Sequence, residues 1–324
     1  MARHTLLLAV LSLVFSPHII RVAHSTTFTL VNKCGYTVWP GILSNAGTPP
    51  FPTTGFALSS GSSKALTAPA SWGGRFWART YCNTSSSNSF SCVTGDCSSG
   101  TVECSGNTAS PPATLAEFTL DGSGGMDFYD VSLVDGYNLP VLVTPQGGSG
   151  QNCSATGCTV DINGSCPSDL RVVTTSSSSD GTTTVVACRS ACEAYGSPEY
   201  CCSGAYASPA TCKPSSYSEA FKSACPKAYS YAYDDATSTF TCTSGADYVI
   251  TFCPSPNTSQ KSSSDQQPAS PTTTTGGGDA PLFTNSTMIY TGVQETSWGS
   301  AARGTIAVAV LATVSHSLLL RQML

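Results

Sequence analysis

From Thr26 to Cys253 the apolar positions fall in short segments: TTFTLVN, GYTVWP, RFWARTYC, TLAEFTL, FYDVSLV and YVITFC. These segments are rich in Val, Thr, Phe and Tyr, and Gly, Pro, Asn and Asp separate them. Such punctuation is how strands joined by turns read in a sequence, and the spacing predicts a sandwich rather than βαβ units. Helical patterning is confined to the later part. Ser216-Tyr217-Ser218-Glu219 reads as a capping box, with Ser216 accepting a backbone N–H and Glu219 reaching back. The helix it opens should stop before Pro226, and a shorter one is expected before the Cys201-Cys202 pair.

Two longer apolar runs stand at the ends. Arg3 and His4 precede Leu6 to Phe15, and the small residues Ala23 and Ser25 flank His24. This is the pattern of a secretory signal peptide over 1–25. The second run, Ile306 to Leu320, is uncharged but broken by Ser315, His316 and Ser317. It falls short of the roughly 20 apolar residues that span a bilayer. Small residues lie upstream, so 301–324 is expected to be a glycosylphosphatidylinositol signal exchanged for a lipid. Attachment candidates are Asn285, Ser286, Ser297, Gly299 and Ser300. Between domain and tail, 255–300 contains SPNTSQKSSSDQQPASPTTTTGGG, a composition expected to form a disordered stalk. Glycosylation candidates are Asn83, Asn163, Asn257 and Asn285. The expected location is the secretory pathway, then the outer face of the plasma membrane or the cell wall.

All sixteen cysteines lie between Cys34 and Cys253. An even number confined to one unit implies an oxidising compartment and pairing within 26–254, although spacing alone does not give the pairs. The four histidines, His4, His18, His24 and His316, all fall in segments expected to be removed. A mature chain without imidazole or free thiol has no Ser-His-Asp triad, no Cys-His pair and no His-bearing zinc site. Neither metal nor cofactor is therefore expected. The chemistry left belongs to carboxylates, hydroxyls, Lys, Arg and Tyr.

Charge narrows the ligand class. All 19 acidic residues lie in the expected mature region, whereas Arg3, Arg21, Arg303 and Arg321 of the 14 basic ones lie in or beside the ends. An acidic domain disfavours nucleic acid and anionic membranes, and suits neutral, hydroxyl-rich ligands. Gly122–Gly125 and Gly147–Gly150 read as turns, since no Lys-Ser/Thr follows them to make a phosphate loop.

At 88–104 the chain reads NSFSCVTGDCSSGTVEC, which resembles the signature of the thaumatin-like proteins, a plant family with pathogenesis-related and osmotin-type members. Asn88 stands where that signature opens with Gly. Further likeness runs through GRFWART, PPATLAEFTLD, MDFYDVSLVDGYNLP, CTVDINGSCP, EYCC, SYSEAFKSACPKAYSYAYDD and YVITFCP. The resemblance implies a mainly β fold: a flattened β-sandwich with two disulfide-rich loop regions, one carrying short helices. It implies the pairs Cys34–Cys253, Cys82–Cys92, Cys97–Cys104, Cys153–Cys242, Cys158–Cys225, Cys166–Cys188, Cys192–Cys201 and Cys202–Cys212.

The same resemblance implies an acidic cleft lined by Arg75, Glu117, Asp130, Asp135 and Asp234. Glycoside hydrolysis needs two carboxyl groups across the scissile bond, and clustering raises one of them into the range of a proton donor. Glu117 is the candidate acid and Asp135 the candidate base. The expected function is defence-related binding of cell-wall polysaccharide, a β-1,3-glucan, by a monomer. The alternatives are a weak endo-β-1,3-glucanase and a structural or signalling role at the membrane or wall. Trp39, Trp72 and Trp77 are read as sugar-stacking or core residues, and Tyr229, Tyr231 and Tyr233 as rings beside Asp234 or sheet packing.

Overall fold

The computed structural model describes residues 25–175 and 183–255, with the backbone of Thr287–Tyr290. The expected signal peptide, most of the stalk, the lipid-attachment candidates, Asn257 and Asn285, and all four histidines lie outside the described residues.

In chain order the strands are β1 (Thr27–Asn32), β2 (Trp39–Ser44), β3 (Ser63–Thr67), β4 (Gly73–Thr84), β5 (Phe90–Thr94), β6 (Leu115–Thr119) and β7 (Met126–Ser132). They continue with β8 (Val141–Gln146), β9 (Thr156–Cys158), β10 (Arg171–Thr175), β11 (Thr183–Cys188), β12 (Phe240–Thr243), β13 (Asp247–Phe252) and β14 (Thr287–Tyr290). Four short helices, α1 (Ala191–Tyr195), α2 (Pro198–Cys201), α3 (Ser216–Ala224) and α4 (Asp235–Ser238), fall between β11 and β12.

One sheet has the order β3-β1-β13-β8-β9; the other runs β12-β7-β6-β4-β2, with β5 paired to β4. Side chains alternate along each strand, so every second residue enters the space between the sheets. β1 and β13 both show the strict pattern of half-buried then buried residues. Their inward rings meet those of the facing sheet: Phe28 lies 4.8 Å from Phe76 and 4.7 Å from Phe118, and Tyr248 lies 5.1 Å from Phe118. Each such aromatic pair adds about 0.5–1.5 kcal/mol beyond its buried area. Trp72 and Trp77 are fully buried, their indole N–H groups donating to Ser44 Oγ and Gly95 O, so both are core residues.

Eight disulfides join Cys34 to Cys253, Cys82 to Cys92, Cys97 to Cys104, Cys153 to Cys242, Cys158 to Cys225, Cys166 to Cys188, Cys192 to Cys201 and Cys202 to Cys212. The first and last large strands, β1 and β13, pair in parallel, and Cys34–Cys253 closes them just beyond that pairing.

Several local expectations need correction. The strand expected over GYTVWP begins only at Trp39. Before it, the Asn32 amide donates to Tyr36 O and Leu58 O and accepts from Cys34 N, holding the chain in a loop. The capping box of α3 sits one residue earlier than predicted. Ser215 is the N-cap and Ser218 its reciprocal partner, because both hydroxyls reach the other's backbone N–H. Glu219 does not fill that role. Thr287–Tyr290, placed by composition in a disordered stalk, pairs antiparallel with β10. Its Thr-Met-Ile-Tyr sequence lacks the Pro and Gly of the stalk and favours extended pairing.

Candidate functional site

Three adjacent strands each carry one charged residue at the same level. β4 sets Arg75 opposite Glu117 of β6, and Glu117 stands opposite Asp130 of β7. Their chain neighbours Phe76, Phe118 and Tyr129 point into the core, so the pleat turns all three charged side chains to the outer face. Arg75 Nη2 lies 3.4 Å from Glu117 Oε1, both side chains about 30 % exposed. Arg75 Nε and Asp130 Oδ1 are buried without a hydrogen-bond partner. Buried polar atoms are almost always satisfied in native proteins, so these two stand out in the row.

Asp135 approaches the row from the loop after β7, where its carbonyl accepts from Ala113 N at 3.0 Å. The following residue must be glycine. Gly136 has φ +83°, and a Cβ there would lie 2.7 Å from Cys188 O and 2.8 Å from Pro112 Cβ. Tyr137 then exchanges both backbone hydrogen bonds with Cys188. This close approach brings the start of α1 up beside Asp135. Ser190 caps α1 by accepting from Glu193 N, and the half-buried Glu193 carboxyl keeps Oε2 unpartnered.

Burial sets the protonation of the group. It pushes the Glu117 carboxyl up, Arg75 pulls it back and Asp135 pushes it further. Asp130 is raised well above the usual aspartate range, by burial first and then by Glu117, against the pull of Arg75; Asp235 adds to the rise. Asp135 is raised by burial and lowered by Arg75. A single guanidinium thus serves three carboxyls, and burial raises all three against its pull.

Asp234 is engaged elsewhere. It lies 2.8 Å from Lys222 Nζ and accepts from Ser230 N and Oγ. Its neighbour Asp235, which accepts from Tyr229 Oη at 2.8 Å, is the residue whose charge bears on Asp130. Sequence reasoning therefore missed Asp235 and Glu193. The signal for Glu193 was present: Ser190-Ala191-Cys192-Glu193 has capping-box spacing.

Glu193 gives the domain a pH dependence. Burial raises its carboxyl from 4.5 to about 7, with Arg189 opposing and Asp135 adding. A carboxyl whose folded value exceeds its unfolded one contributes stability below the unfolded value and loses it as pH rises to the folded one. Glu193→Gln is expected to flatten the fall in stability between pH 4.5 and about 7. At neutral pH the gain should be on the order of 2 kcal/mol, after discounting for solvent contact. Urea midpoints at the two ends of that window provide the measurement; an unchanged slope would contradict the assignment.

A pocket lined by Val134, Ser190, Tyr200, Lys213, Phe221 and Tyr231 lies among the helices and shares no residue with the charged row. Among the described residues no group of three or more His, Cys, Asp or Glu is arranged to hold a metal ion, and no helix is long and apolar enough to cross a membrane. Of the described sequons, Asn83 is exposed at the end of β4, whereas the Asn163 amide nitrogen donates to Asn138 O at 3.1 Å.

Residues 32–254 match the model of the thaumatin family. A thaumatin-like protein 1 of Arabidopsis thaliana is 62% identical over 236 residues, covering 71% of this chain and 86% of that protein. A glucan endo-1,3-beta-glucosidase of Prunus avium is 54% identical, covering 72% of this chain and 92% of that protein. A PR5-like receptor kinase of Arabidopsis thaliana is 50% identical over 78% of this chain, which spans 37% of the kinase. With the sandwich and eight disulfides already described, these matches establish that the chain belongs to the thaumatin family.

Proposed function

We propose that the domain binds neutral cell-wall polysaccharide, a β-1,3-glucan, along the face marked by Arg75, Glu117, Asp130 and Asp135, as part of plant defence at the wall or outer membrane face. The observation that carries this reading is the coexistence of unsatisfied Arg75 Nε and Asp130 Oδ1 with carboxyls whose proton affinity burial raises. Sugar hydroxyls both donate and accept, so they satisfy such a mixed set, whereas an anionic ligand meets repulsion. Glu193 extends the face from the helical side.

Slow endo-hydrolysis is the second reading. It is favoured by the raised Glu117 carboxyl beside Asp135, and by the name of the cherry relative. Laminarin separates the two. Pull-down should succeed with the wild type and fall about tenfold or more with Glu117→Gln, the usual scale for loss of a buried polar partner. A reducing-sugar assay that detects product in the wild type, and none in Glu117→Gln or Asp135→Asn, would favour hydrolysis. If the wild type neither binds nor cleaves laminarin, the glucan reading fails.

A further inference from the structure

Three tyrosines from three helices meet at the surface of the helical region, outside the charged row. Tyr195 ends α1, Tyr200 lies in α2 and Tyr217 in α3. Their ring centroids are 5.5 Å (195 to 217), 5.7 Å (195 to 200) and 5.9 Å (200 to 217) apart. Tyr195 is 42% exposed. The Tyr195 and Tyr217 hydroxyl oxygens lie 2.8 Å apart. Both hydroxyls donate to the same acceptor, Asp169 Oδ2, Tyr217 at 2.8 Å. With both protons directed at the carboxylate, the two phenolic oxygens sit side by side, and each oxygen's ring carbon is flanked by ortho positions. Phenoxyl radicals couple through ortho carbons, and the rings that carry them here lie 5.5 Å apart between centroids with their planes tilted by 45°.

We propose that Tyr195 and Tyr217 are an oxidative coupling site, converted to a dityrosine cross-link by a haem-peroxidase-class oxidant consuming hydrogen peroxide. The phenols are oxidised in turn. Each gives up one electron to the oxidant and its hydroxyl proton to Asp169, leaving a phenoxyl radical. Asp169 releases that proton to solvent before the next transfer. The two radicals join through ortho carbons, and the ring hydrogens at those carbons move to the oxygens to restore two phenols. One hydrogen peroxide is reduced to two waters as two hydrogen atoms leave the pair. Asp169 is suited to the proton-accepting role because the hydrogen bonds from Tyr195 and Tyr217 hold its carboxyl below the usual range, and thus ionised. No thiol competes among the described residues, since every cysteine is in a disulfide. The product would tie α1 directly to α3, a connection that none of the eight disulfides makes.

The test treats the purified, folded protein with a haem peroxidase and hydrogen peroxide, followed by reduction, digestion and mass spectrometry. The expected product is a peptide pair joined through Tyr195 and Tyr217, lighter by two hydrogen atoms, with dityrosine fluorescence. Tyr195→Phe and Tyr217→Phe should each abolish it, and Tyr200→Phe should leave it intact; near-UV circular dichroism verifies folding of each variant. Asp169→Asn should slow coupling by about a hundredfold or more, the low end for loss of a positioned proton acceptor. The proposal is overturned by absence of the product, by its persistence in Tyr195→Phe or Tyr217→Phe, or by its loss in Tyr200→Phe. Coupling only between molecules, or a wild-type rate in Asp169→Asn, overturns it equally.

Discussion

Replacing Cys34 and Cys253 together by Ala is expected to lower stability by about 5 kcal/mol, from loop-closure entropy. Their sequence separation is 219, the largest of the eight bridges. The remaining disulfides, above all Cys153–Cys242, short-cut that loop in the unfolded chain. Dependence on loop length is logarithmic, so halving the effective loop changes the figure by only about 0.6 kcal/mol. The comparison that matters is with Cys97–Cys104, whose separation is 7. Its removal should cost about 2 kcal/mol on the same account. In a domain of this size the long-range variant should melt about 10–15 °C lower than the wild type. Denaturant midpoints in non-reducing buffer, taken for both double variants, check the order. If the short bridge proves the costlier loss, native-state packing rather than unfolded-state entropy governs these staples.

Arg79→Met carries the next largest expected loss, about 3 kcal/mol, as befits removal of one member of a buried charged network. Arg79 is fully buried, yet among the described residues no carboxylate lies within ion-pair distance of it. It donates through Nε to Trp39 O at 3.0 Å and through Nη2 to Val102 O at 2.6 Å and Pro40 O at 3.3 Å. Gly55 makes room for the guanidinium: a Cβ there would lie 2.7 Å from Arg79 Nη2. Burial lowers the guanidinium to about 10, with Asp96 and Glu103 pulling the other way, so it stays charged at neutral pH. Met fills similar volume but removes the guanidinium's hydrogen bonds to Trp39 O, Val102 O and Pro40 O, of which Pro40 O keeps a 3.3 Å bond from Phe56 N. Arg79→Lys keeps the charge and loses the planar fork, and should recover less than half of the deficit. Urea unfolding of the three proteins tests this; an Arg79→Met loss below about 1 kcal/mol would show that water replaces the donors.

The strands legible in the sequence were those with β-branched and aromatic residues bounded by turn formers, such as β1, β4, β6 and β13. β9 is three residues with a central glycine, Thr156-Gly157-Cys158, and offers no period to detect. β3 is almost wholly exposed, so its polar SKALT carries no apolar signal. The α3 cap was placed one residue late because Ser215, Ser216 and Ser218 all suit a cap, and only hydroxyl geometry selects among them. Disulfide partners have no local signature, and family resemblance alone supplied an expectation for them. The charged row was half visible. Arg75, Glu117 and Asp130 lie on regular strands, where register decides what meets. The capping-box spacing from Ser190 announces the helix start that carries Glu193, but only the tertiary approach of Gly136 to Cys188 brings that residue toward Asp135. The choice between Asp234 and Asp235 depends on Lys222, twelve residues earlier on α3, capturing the first and leaving the second toward Asp130.

The parallel zip of β1 with β13 also has a mechanical side. A pull on the chain beyond Cys253 cannot peel β13 away strand by strand, because tension crosses at once to Cys34 and loads both central strands in shear. A body hung from its C-terminal side would therefore resist tugging at an occupied face with covalent strength along that central pair, and would yield elsewhere first.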